Sequence, residues 1–212
     1  MIKAKFEKLA VIFFERNVYP DSLDYLEAEL RAAYSGDCDA IVLAIRSPGG
    51  YAYKLPEMAK LIDRIAQDKP VFAYTDTVMA SAAYWIGACA DRVYMAPSAI
   101  VGSVGVYSEL FDFSKYYEKQ GIEYMLFRAG EDKARIGFDG QMRDSDKAEL
   151  QADAEETWKE FKSCVLAHRK INGAYLQGKV YSGNEALKLG FVDGFFDSIY
   201  DLVDTLRTGG IE

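Results

Sequence analysis

The chain has 212 residues, half of them hydrophobic, with a net charge of −8, three cysteines and one histidine. That is enough apolar material for one sizeable core and a single α/β domain over residues 1–212. The acidic balance, with no interleaved run of arginine and aromatic residues, argues against a nucleic-acid partner, which needs a basic stripe against phosphates.

Met1-Ile2-Lys3-Ala4-Lys5 leads straight into an apolar run at Leu9 to Phe14, which reads as a first strand rather than a signal sequence. Asp21 or Ser22 can cap a following helix, with Leu23, Leu26, Leu30 and Ala33 on one face and Gly36 at its stop. Asp39 to Ile45 is apolar throughout, the pattern of a parallel strand covered on both faces. Ser47-Pro48-Gly49-Gly50 ends it. A helix with Leu55, Met58, Leu61, Ile62 and Ile65 inward stops near Lys69-Pro70, and Val71 to Thr75 reads as the next strand. Ser81 to Ala90 reads as helix and Arg92 to Met95 as strand, so the alternation is βαβ. Val78 to Ala90, bounded by Asp76 and Asp91, is too short for a bilayer span. The chain therefore reads as soluble and cytoplasmic, or as the trimmed form of a membrane-anchored protein.

Further on, the pattern predicts a helix over Asp112 to Gly121, a strand over Tyr124 to Phe127, and a polar loop or lid over Gly130 to Asp146. A long helix follows from Ser145 to about Ile171, capped by Asp144 or Ser145. Ser182-Gly183-Asn184-Glu185 has the form of a capping box for a short helix ending at Gly190, and a loose tail is expected from Thr205. Cys38, Cys89 and Cys164 are odd in number and widely spaced, which indicates neither a disulfide framework nor a zinc site. They read as reduced core thiols, and no metal or cofactor is expected.

The chemistry concentrates in Met79-Ala80-Ser81-Ala82-Ala83-Tyr84. A serine at a strand-to-helix junction has its hydroxyl near the positive end of the helix, where developing negative charge is favoured. Gly49-Gly50, at another strand end, lets a carbonyl approach the backbone closely. Acyl transfer needs both parts, a nucleophile and amides for the oxyanion, and the amides of Ala82 and Gly50 are the candidates. His168 recurs at helical spacing with Leu150, Ala154, Phe161 and Val165, so it reads as a helix residue at the edge of the packed face. A lysine is then the expected base, though the residues alone do not choose among the lysines.

Five segments in order now carry a resemblance: Ser47-Pro48-Gly49-Gly50, Ala80-Ser81-Ala82-Ala83-Tyr84, Gly102-Ser103-Val104-Gly105-Val106, Gly130-Glu131-Asp132-Lys133, and Val180-Tyr181-Ser182-Gly183 with Val192-Asp193. Together they resemble the signal peptide peptidase A family of serine-lysine peptidases (family S49), within the group that shares the Clp protease and crotonase fold. The resemblance implies a stacked β-α-β superhelix and a serine endopeptidase acting on extended peptides, such as residual signal peptides. Phage and prophage members that cut scaffold or capsid proteins are an alternative. It implies Ser81 as nucleophile, Lys133 as base, Gly50 and Ala82 at the oxyanion hole, and Ser103 orienting the lysine. It further implies a homo-oligomeric ring, in which the serine of one subunit is completed by the lysine of its neighbour. Tyr84 matches an aromatic that packs rather than reacts. Lys133 must be desolvated to lose its proton near neutral pH, so the carboxylates of Glu131 and Asp132 must be turned away from it. That departure from the family pattern keeps a catalytically silent oligomeric scaffold in view. A crotonase-like acyl-CoA binder would lack the serine-lysine pair, and a Clp-type triad would need a histidine nearer to Ser81.

Overall fold

The computed structural model describes residues 5–130, 132–134 and 142–210. They form two compact units, Met1–Gly105 with Lys159–Glu212 and Val106–Trp158. The first unit is built on a parallel sheet of β1 (Leu9–Phe14), β2 (Ala40–Ile45), β3 (Val71–Thr75), β5 (Arg92–Met95) and β8 (Gly194–Phe195), in the order β1-β2-β3-β5-β8. A second sheet joins β4 (Val78–Ala80), β6 (Ile100–Gly102) and β7 (Val180–Ser182), with β4 parallel and β7 antiparallel to β6.

Every residue of β2 is buried, as its unbroken apolar run requires. One side of the main sheet is covered by α1 (Pro20–Ser35) through Leu23, Leu26 and Leu30, and by α2 (Leu55–Ala66) through Met58, Ile62 and Ile65. Completely buried α3 (Ala82–Ala88) also lies in this layer, and its Trp85 stacks on Phe161 with ring centroids 4.6 Å apart. Phe161 belongs to α5 (Asp144–His168). The other side of the sheet packs against Ile199, Leu202 and Leu206 of α7 (Ile199–Thr208). The loose tail expected from Thr205 is therefore helical to Thr208, because Leu206 continues the apolar stripe of α7 into the core.

Other differences are local. α1 starts at Pro20 rather than behind Asp21 or Ser22, since proline suits the first helical position. Ser22 still closes the helix start by accepting a hydrogen bond from the Tyr19 amide at 2.9 Å. α6 (Gly183–Leu189) begins where expected, but the Ser182 side chain makes no cap, and Glu185 pairs with Lys179 instead. In the second unit α4 covers only Ser114–Lys119, and Tyr124 to Phe127 form no strand. All four of those residues are exposed, and no described strand pairs with them, so an extended segment there gains no ladder of hydrogen bonds. No helix among the described residues is long and apolar enough to cross a membrane.

Candidate active site

Ser81 is the joint between β4 and α3. Its amide donates to the Gly102 carbonyl at 2.8 Å, and its own carbonyl accepts from the Trp85 amide at 3.0 Å, closing the first turn of α3. These two bonds fix the residue at φ 54°, ψ −129°, a region that a side chain with a β-carbon rarely enters. A strained residue of this kind costs on the order of 1–3 kcal/mol and persists only where its surroundings over-determine it. Ser81 is partly exposed, while every residue of α3 after it is buried.

The loop after β2 lies directly against this joint. Ser47 donates its amide to Val78 at 2.8 Å and accepts from the Ala80 amide at 3.1 Å, which lays the loop along β4. Gly49, at φ 104°, has no room for a side chain: a β-carbon there would sit 2.7 Å from the Ser81 β-carbon and 2.9 Å from the Ala82 nitrogen. On its far side the loop is held by Val18, whose amide donates to Gly49 and whose carbonyl accepts from Tyr51, both at 2.8 Å. Neither the Gly50 amide nor the Ala82 amide hydrogen-bonds to a described residue. Two donors thus remain open beside the serine, Ala82 because it is the first residue of its helix.

Ser103 follows the Gly102 carbonyl that pins Ser81, and stands at φ 55° with its amide donating to Lys179 at 2.8 Å. The first unit therefore holds Ser81, Ala82, Gly50 and Ser103. Lys133 belongs to the second unit, in a turn closed by its amide on the Gly130 carbonyl at 3.2 Å, with its side chain exposed. Asp132 is engaged by Arg143 at 2.8 Å. Glu131 and residues 135–141 of the expected lid lie outside the described residues.

Tyr84 packs as expected, buried with its hydroxyl donating to the Phe191 carbonyl at 2.8 Å, and burial pushes its pKa up. Arg46, missed in the sequence, bridges three strand ends: it binds Asp76 after β3 at 2.7 and 2.6 Å and Glu15 after β1 at 2.5 Å. Its signal was a lone arginine between the apolar run of β2 and the Ser47 turn, with acids at matching positions after two neighbouring strands.

Comparison with known proteins gives the family and the fold. The model of Peptidase family S49 matches residues 63–208. "Putative protease MJ0651" of Methanocaldococcus jannaschii is 33% identical over 157 residues, which are 72% of this chain and 50% of that protein. Capsid assembly protease C of Escherichia phage lambda is 28% identical over 180 residues, 84% of this chain and 41% of that protein. The chain thus spans half or less of the length of these relatives. Among solved structures, a mutant ClpP1 from Listeria monocytogenes aligns with a TM-score of 0.58 at 14% identity, covering 92% of this chain and 94% of that one. The fold is that of the Clp protease group, and the chain belongs to peptidase family S49.

Proposed function

We propose that this chain is a serine endopeptidase in which Ser81 attacks the scissile carbonyl of an extended peptide. The observation that carries the reading is the Ser81 joint: a strained, partly exposed serine packed against Gly49, with the Gly50 and Ala82 amides open beside it. A carbonyl carbon reached by the Ser81 hydroxyl would turn its oxygen toward those donors, which stabilise the oxyanion more than the ground-state carbonyl. Lys133 takes the serine proton and returns it to the leaving amine, and Ser103 orients the lysine.

A solvated ammonium keeps its proton at neutral pH, so the proposed base has to be desolvated. Lys133 is exposed in its own unit, which supports a site completed by assembly, with the lysine of one copy serving the serine of another. The second unit also exposes Tyr107, Phe111, Tyr116, Met125 and Phe127, an apolar surface of the kind that copies of a chain bury against each other. Engagement of Asp132 by Arg143 removes one of the two carboxylates that would hold a proton on Lys133. Membership of family S49 supports the peptidase reading over a silent scaffold or an acyl-CoA binder. The likeness to capsid assembly protease C supports a second reading of the substrate, a phage scaffold or capsid protein, beside that of a residual signal peptide.

A fluorophosphonate probe tests the nucleophile. It should label wild-type protein at Ser81 and leave Ser81→Ala unlabelled and inactive on unfolded casein. Labelling at another serine, or hydrolysis retained by Ser81→Ala, would remove the assignment.

A further inference from the structure

Away from the Ser81 joint, α2, α3 and α5 bring four reactive side chains of the first unit together. The Cys89 and Cys164 sulfurs are 3.4 Å apart. His168, one helical turn after Cys164, places Nδ1 2.8 Å from the Cys164 carbonyl and 3.9 Å from the Cys164 sulfur. Its Nε2 lies 2.7 Å from the Asp63 carboxylate. Both ring nitrogens thus face oxygen acceptors, and only the imidazolium, with two N–H groups, satisfies both. A metal would need one of those nitrogens as a bare lone pair, which leaves an acceptor unpaired, so the arrangement suits a charged histidine better than a ligand.

The two thiols are not equivalent. Cys89 is buried, its sulfur 3.2 Å from the Trp85 carbonyl and 3.4 Å from the Cys164 sulfur, so its one S–H serves either acceptor, whereas Cys164 is partly exposed beside the imidazolium. The contact with Cys89, then the His168 ring, holds the Cys164 pKa below the usual thiol range. Cys89 is pushed the other way by the same contact and by burial.

We propose that Cys164 and Cys89 are a peroxide-reactive thiol pair that closes to a disulfide between α5 and the end of α3. The Cys164 thiolate attacks one oxygen of hydrogen peroxide, an S–O bond forms, the O–O bond breaks, and the departing hydroxide takes a proton from the His168 imidazolium to leave as water. Sulfur is oxidised to the sulfenic acid and peroxide is reduced. The Cys89 sulfur then attacks the Cys164 sulfur, the S–S bond forms, the S–O bond breaks, and hydroxide leaves with the Cys89 proton as a second water. Two thiols and one peroxide give one disulfide and two waters. Cys38, whose S–H donates to the Ala33 carbonyl at 3.1 Å and whose sulfur accepts from the Lys69 ammonium at 3.7 Å, has no second thiol among its hydrogen-bond partners and takes no part.

This inference does not depend on the peptidase reading, and its test reads no peptidase activity. Reduced, folded protein is treated with a small excess of hydrogen peroxide, quenched with N-ethylmaleimide and mapped by mass spectrometry. A peptide linking Cys89 to Cys164 is expected, with Cys38 alkylated. In Cys89→Ser the sulfenic acid at Cys164 should persist and be captured by dimedone. His168→Gln should slow disulfide formation at pH 7 by about tenfold, since a smaller fraction of Cys164 is then thiolate. Three alkylated thiols with no linked peptide, oxidation of Cys38 as fast as Cys164, or stoichiometric zinc shielding both thiols would each overturn the proposal.

Discussion

At the scale of single residues, Ser81 answers to two demands that oppose each other. The joint between β4 and α3 needs a backbone conformation suited to glycine, and the proposed chemistry needs a hydroxyl there. Ser81→Gly should therefore fold at least as stably as wild type, with a gain up to about 1 kcal/mol by urea unfolding, while losing all hydrolysis. A clear loss of stability would mean that the side chain, not the backbone, holds the turn. Gly49→Ala should instead cost both. Its β-carbon meets Ser81 and the Ala82 nitrogen at contact distances no side chain tolerates, at a φ that disfavours alanine, so about 2 kcal/mol or more of stability and the hydrolytic activity should fall together. These positions were legible in the sequence because serine and glycine at strand ends are local signals. The strain on Ser81 was not, since it comes from the pairing of Ala80 with Gly102, set by a strand of three residues. The Cys89–Cys164 pair was hidden for a similar reason: 75 positions separate the two thiols, and only the packing of α3 on α5 joins them.

Elements were legible in proportion to their length. β1, β2 and β3 each carry five or six residues of apolar pattern, and α1, α2 and α5 several turns of it. β4, β6, β7 and β8 have only two or three residues, too few for a period to register, yet two of them frame the Ser81 joint. α7 failed differently, because its last turn is judged only against the sheet it covers. Leu206→Ala should cost about 2–5 kcal/mol in urea unfolding, whereas a loose tail would leave stability unchanged. The strand ends near the joint are tied by Arg46, whose hydrogen bonds hold the Asp76 pKa below its usual value. A carboxylate with a lowered folded pKa contributes stability above its unfolded value, about 3.9, and that contribution fades as pH falls through the folded value. Wild type should thus lose stability relative to Asp76→Asn below about pH 4, and parallel pH profiles for the two proteins would show that the bridge is idle.

On the scale of the whole molecule, the proposed base and nucleophile stand in different compact units, and the base is exposed. If each copy completed its own site, its activity would need no second copy. If the lysine is lent to a neighbour, the exposed aromatic surface of Val106–Trp158 has a purpose, because the contact that buries it can also exclude water from Lys133. Ser81→Ala and Lys133→Ala should each lower casein hydrolysis by about 10⁴-fold or more when assayed alone. Mixed under conditions of subunit exchange, they should regain a fraction of wild-type activity, since some sites then pair an intact serine with an intact lysine from different chains. The recovered fraction should rise with protein concentration as the assembled species does, and sedimentation should show monomers wherever activity is lost on dilution. No recovery, with exchange demonstrated by labelled subunits, would place both groups in one chain and leave the exposed surface of the second unit to another use.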